Sequence, residues 1–217
     1  MYVLILVGST VAVVIVILLV TWYFNRQRTQ ALKSLAASLS FTFSEKGDDS
    51  LMGQLSVFHL FSLGHAHRIT NVFTGKFNLL PVTVLDYKYT TGGGKDSHTW
   101  RQTVLIMDCE KLQLPRFVLR PENFFDKIGS AFGRKDINFD IAPVFSKKYF
   151  LRGDNEAAVR SLFTARILDY YGQHPGLSTE SDGVRLIYYR PSKRVHPDKF
   201  QAFLQEGYDV FSLFKVR

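Results

Sequence analysis

The pattern of apolar and polar positions divides the chain into three stretches. Residues 1–24, MYVLILVGSTVAVVIVILLVTWYF, contain no charged side chain. At about 1.5 Å per residue a helix of that length reaches across a hydrocarbon core of about 30 Å, so the pattern predicts an N-terminal transmembrane helix. Inside lipid every backbone polar group must be paired within the segment, which a helical run of Val, Leu and Ile achieves. A cleaved signal peptide fits less well, because the run lacks a basic start and ends in Trp22, Tyr23 and Phe24 rather than at a small-residue cleavage site. Residues 25–50 read as a juxtamembrane stalk and linker: Leu32, Leu35 and Leu39 recur at near-helical spacing before the polar break SEKGDDS at 44–50.

Residues 51–217 read as one soluble α+β domain. Alternating apolar positions rich in β-branched and aromatic residues predict strands in VFHLFS (57–62), HRITNVFTG (67–75), PVTVLDYKYTT (81–91) and TWRQTVLIMDC (99–109). The last two are joined through Gly92, Gly93 and Gly94 and should pair antiparallel. FVLR at 117–120 is a fifth strand candidate, and Pro121 should open a short helix with Phe124, Phe125 and Ile128 inward, ending at Gly129. Short extended segments are expected over 137–151. Asp154 should cap a helix over 155–172 with Val159, Leu162, Phe163, Ile167, Tyr170 and Tyr171 on one face. A hairpin turning at Ser181, Asp182 and Gly183 should follow, then a helix over 197–214 built on Phe200, Phe203, Leu204, Phe211 and Phe214, in which Gly207 costs about 1 kcal/mol. Strands gathered early and helices late, without βαβ alternation, argue for helices packed on an antiparallel sheet.

Charge adds an orientation. The chain carries 27 Lys and Arg against 19 Asp and Glu, a net +8 that lies wholly outside residues 1–24. Arg26, Arg28 and Lys33 follow the apolar run with no basic side chain before it, which places the C-terminal domain on the cytoplasmic side of a cell inner membrane as a single-pass protein. Trp22, Tyr23, Arg26 and Arg28 are then the membrane-flanking residues. A lone Cys109 forms no intrachain disulfide, and no N-x-S/T acceptor occurs. The basic residues are scattered, the densest groups being Arg134 with Lys135, Lys147 with Lys148, and Arg190, Lys193 and Arg194. Polybasic lipid motifs hold about four to eight cations in one cluster, so a solvated surface outweighs a lipid site. The expected partners are the membrane as an integral single span, an unidentified protein, and anionic lipid headgroups; a nucleic acid is disfavoured.

Candidate chemistry is sparse, and no cofactor is implied. TGGGKDS at 91–97 lacks the first Gly and the Ser or Thr of a phosphate loop, so it reads as a hairpin loop. His65 and His67 share one strand face and, with His98 or Asp86, are weak candidates for a metal, but two further ligands are not placed. Cys109 sits in an apolar strand as a small buried hydrophobe would. Asp86 is the carboxylate to examine first, although a salt bridge to Lys88 or Arg101 would explain it. Arg152, Gly153 and Asp154 spell an integrin-binding tripeptide, which reads here as a helix cap. None of the common hydrolase, zincin or dinucleotide fingerprints occurs.

The runs LPRFVLRPE at 114–122 and DINFDIAPVFSKKYFLRG at 136–153, with VRSLF at 159–163, resemble a family of uncharacterised bacterial proteins. The resemblance implies one N-terminal membrane helix followed by one domain, and no activity. The sequence therefore supports a non-enzymatic interaction module at the cytoplasmic membrane surface. The alternative is an enzyme with a site around Asp86, His65, His67 and His98.

Overall fold

A helix of nearly forty residues runs straight into a large sheet. The computed structural model describes residues 2–108, 113–122 and 136–215, with side chains from residue 12 onward. Helix α1 (Tyr2–Ser38) is followed by β1 (Thr42–Lys46), α2 (Asp49–Leu55), α3 (His59–Ser62), β2 (His65–Phe77), β3 (Leu80–Thr91), β4 (His98–Asp108) and β5 (Phe117–Pro121). Then come α4 (Pro143–Lys148), β6 (Tyr149–Gly153), α5 (Glu156–Leu162), α6 (Ala165–Gln173), β7 (Ser178–Ser181), β8 (Arg185–Tyr189) and α7 (Phe200–Lys215). The eight strands form one sheet in the order β1-β2-β3-β4-β8-β7-β5-β6, with every neighbouring pair antiparallel. This is an α+β fold. Cys109, the helix expected from Phe124 to Gly129, and the Arg134–Lys135 pair lie outside the described residues.

Alternation along the strands sends two apolar sets to opposite faces. On the first face Val82, Val84, Leu105, Met107, Leu186 and Tyr188 pack with Leu32 and Ala36 of α1, and with α5, α6 and the Phe-rich stripe of α7. On the second face Leu85, Tyr87, Tyr89, Trp100, Val104, Ile106, Ile187 and Tyr189 are covered by Leu55, Phe58, Leu60 and Phe61. Gly207 has a packing reason: a Cβ there would sit 2.3 Å from Leu105 Cδ2 and 3.2 Å from Tyr188 Cδ1, so the missing side chain lets α7 lie close on β4 and β8.

The expected transmembrane helix is corrected: among the described residues, no helix is long and apolar enough to cross a membrane. Within α1 the apolar side chains described run from Ala12 to Phe24. Asn25, Arg26, Gln27 and Arg28 then follow without a break in the helix. Residues 25–50 contribute to the body: Leu32 and Ala36 are 1% exposed, and β1 pairs with β2 through Thr42↔Thr74 and Phe43↔Phe73.

Four local expectations change. VFHLFS is not a strand, because Phe58, Leu60 and Phe61 are all buried on one side, as the short helix α3 places them. Within 137–151, Pro143 opens helix α4 from its first turn. The helix expected over 155–172 breaks at Phe163 and Thr164 into α5 and α6. Its cap is Asn155, whose side chain accepts from Ala158 N at 3.1 Å, rather than Asp154.

Candidate functional site

Asp86 is buried at 5% exposure where α1 crosses β3. Arg28 clasps it with both prongs of its guanidinium, Nε to Oδ2 at 2.8 Å and Nη2 to Oδ1 at 2.9 Å. Asn71 Nδ2 donates to Oδ2 at 2.9 Å and Thr103 Oγ1 to Oδ1 at 2.8 Å, so both carboxylate oxygens are doubly engaged. Arg28 Nη1 also donates to the Val195 carbonyl at 2.7 Å, Val195 N donates to Thr103 Oγ1 at 2.9 Å, and Thr29 Oγ1 bonds Asn71 Oδ1 at 2.9 Å. A fixed fork matched to a carboxylate is the geometry Arg supplies and Lys does not. The salt bridge expected from Lys88 or Arg101 is thus made by a residue 58 positions away, and this clamp fastens the foot of α1 to the sheet.

Above the foot, the helix projects from the body with its apolar side chains bare. Val13 through Val20 are 47–63% exposed, Trp22 62%, Tyr23 53% and Phe24 64%. Around its base the sheet register gathers cations that are distant in sequence. Arg68 lies opposite Lys88, and Lys88 opposite Arg101, so three like charges stand side by side on β2, β3 and β4. Alternation puts them on the face of Asp86, one strand step toward the projecting part of α1. The chain at 192–195 continues the row, since Lys193 O accepts from Thr103 N at 3.1 Å and Arg194 Nη1 donates to Asn25 Oδ1 at 3.2 Å. Arg26 is exposed. Like charges opposite one another on a sheet are unfavourable, and Lys88 shows it: partial burial, then Arg68 and Arg101, push its ammonium below its ordinary value. Among the described residues, none of Arg68, Lys88, Arg101 and Lys193 has a salt-bridge partner.

The constellation of Asp86, His65, His67 and His98 does not assemble. His67 Nδ1 meets Tyr87 OH at 3.2 Å on the second face, whereas Asp86 points to the first. His65 and His98 are exposed where β2 and β4 begin, opposite Thr90 and Thr91, and His98 lies against Trp100 at 4.2 Å between ring centroids. Among the described residues no group of three or more His, Cys, Asp or Glu could hold a metal. Gly92 to Lys95 form the turn between β3 and β4, and Gly153 lies within β6 opposite Phe117, not at a loop tip.

A second buried network, with no local signal in the sequence, lies on the other face. Arg120 and Glu180 are 2% and 1% exposed and joined at 3.2 Å. Glu180 Oε1 also accepts from Tyr189 OH at 2.9 Å, and Oε2 from Leu60 N at 3.2 Å. Arg120 Nη2 donates to His59 Nδ1, which requires a neutral imidazole. Burial, then the charges of Arg120 and Arg152, push His59 down to about 3. A cleft of about 250 Å³ bounded by His59, Ser62, Arg116 and Arg152 opens beside it. The unfolded chain takes a proton near pH 6.5 where the folded one does not, so stability should fall as pH drops from about 6.5 toward 3. Unfolding free energies from urea titrations at neutral pH and about pH 5 should differ by roughly 1–2 kcal/mol, and His59→Gln should shrink that difference.

No protein-family model matches the chain, and no curated protein matches it. Among solved structures it is similar to the mycobacterial trehalose monomycolate transport factor A, TtfA, at 15% identity and a TM-score of 0.57, over 87% of this chain and 93% of that one. At that identity the likeness is one of fold.

Proposed function

We propose that this chain is a non-enzymatic accessory module that docks its body on an anionic membrane surface, in the service of transport. The observation that carries the reading is the juxtaposition at the foot of α1 of a bare apolar helix and the row Arg68, Lys88, Arg101, Lys193 and Arg194. Apolar burial and a basic patch are the two signals that together give stable association with a bilayer surface. The cytoplasmic leaflet is the surface proposed, because its anionic lipids attract such patches. The fold shared with a transport factor supports an accessory role beside a transport assembly, and the complete internal pairing of Asp86 supports the absence of chemistry there.

The test is co-sedimentation of the full chain with phosphatidylglycerol-containing vesicles at low salt. Arg68→Gln, Lys88→Gln and Arg101→Gln together relieve cross-strand repulsion, so folding is retained while three cations are lost. At about 1 kcal/mol per cation near the surface, partitioning should fall about 100-fold. Equal sedimentation of the triple variant, or equal binding of the original chain to neutral vesicles, defeats the proposal.

A further inference from the structure

A groove of about 660 Å³ opens beside the foot of α1, between α6, residues 190–199 and α7. Lys193, Arg194 and Lys199 stand on its lip, and Tyr170, Val195, Ala202 and Phe203 line it with apolar surface. Its two carboxylates are engaged: Glu206 is ion-paired with Arg190, and Asp209 accepts from Gln205 Nε2 at 2.8 Å. With Arg190, Lys193, Arg194 and Lys199 lining it against Glu206 and Asp209, the excess charge facing an incoming ligand is positive. The groove shares a wall with the clamp, because Val195 O accepts from Arg28 and Arg194 donates to Asn25. It thus lies next to the cationic row, at the level where a docked surface would present its headgroups.

We propose that this groove holds the phosphoryl headgroup of a single anionic lipid, with Lys193, Arg194 and Lys199 on the phosphate oxygens and the glyceryl and first acyl carbons against Val195, Ala202 and Phe203. The inference rests on the membrane-surface reading above and gives it a lipid class. Point-charge ammonium groups with a neighbouring guanidinium suit a phosphate. The apolar lining suits the carbons that follow it and has no equivalent use for a bare ion.

The experiment is calorimetric titration of the full chain with dihexanoyl phosphatidylglycerol below its micellar concentration, beside glycerol phosphate. Saturable binding of the lipid, with at least tenfold weaker binding of glycerol phosphate, is expected. Lys193→Gln with Lys199→Gln should weaken the lipid about 30-fold, at about 1 kcal/mol for each cation removed. Ala202 is exposed, so Ala202→Trp should fold normally and block the groove sterically. The triple variant of the cationic row should bind the short lipid within about twofold of the original chain while losing vesicle association, so the two readings fail separately. Equal affinity for glycerol phosphate reassigns the site to a soluble phosphate ester and overturns the lipid. Retained lipid binding in both groove variants overturns the site altogether.

Discussion

Arg28→Ala should cost this protein about 3 kcal/mol of folding stability, read as a lower urea midpoint with an unchanged slope. Breaking a buried ion pair by removing one partner costs about 3–5 kcal/mol, because the remaining charge is left without compensation. Here Arg28 is 12% and Asp86 7% exposed at the side chain, and Asn71 and Thr103 still donate to the carboxylate. The lower end of the range therefore applies. The same substitution cuts the bond to Val195, so residues 25–38 should become sensitive to limited proteolysis before the sheet does. Arg28→Lys should recover less than half of the loss, since an ammonium cannot span both carboxylate oxygens and the carbonyl. A full recovery with Lys would mean that charge alone, not the fork, holds the helix. No loss with Ala would mean that α1 is fastened by Leu32 and Ala36.

Arg28 illustrates which features were legible in one dimension. As a cation after an apolar run it reads as a membrane-flanking residue, and only the crossing of α1 over β3 reveals its carboxylate. The β3–β4 and β7–β8 hairpins were legible because period-two alternation and turn residues are local signals. The helix α7 was legible for the same reason, whereas the close approach behind Gly207 was not, because it depends on Leu105 lying a hundred residues away. VFHLFS misled because four apolar residues in six satisfy either period. The cationic row was invisible as a cluster: Arg68, Lys88 and Arg101 are spaced too widely to form a motif, and antiparallel register alone sets them in line. Glu180 carries no local mark in the sequence, because its burial follows from the far side of the sheet being covered by α3.

Glu180→Ala should be the most destabilising single substitution, at about 4–5 kcal/mol, because it strands the Arg120 guanidinium at 3% side-chain exposure. It also leaves Tyr189 OH and Leu60 N without their acceptor. The second loss is structural as well as energetic. Phe58, the N-cap of α3, offers no side-chain cap, and the Glu180 carboxylate supplies one from the sheet, where negative charge suits a helix N-terminus. Hydrogen exchange at Leu60 and Phe61 should accelerate in Glu180→Ala by more than the global loss requires. The double substitution Arg120→Met with Glu180→Leu separates the two effects. It removes both charges and keeps apolar volume, so it should cost less than Glu180→Ala alone, while the exchange at Leu60 stays fast because no carboxylate has been restored. If the double variant is as unstable as the single one, the cost lies in the lost cap and hydroxyl partner, and the ion pair itself contributes little to holding α3 on the sheet.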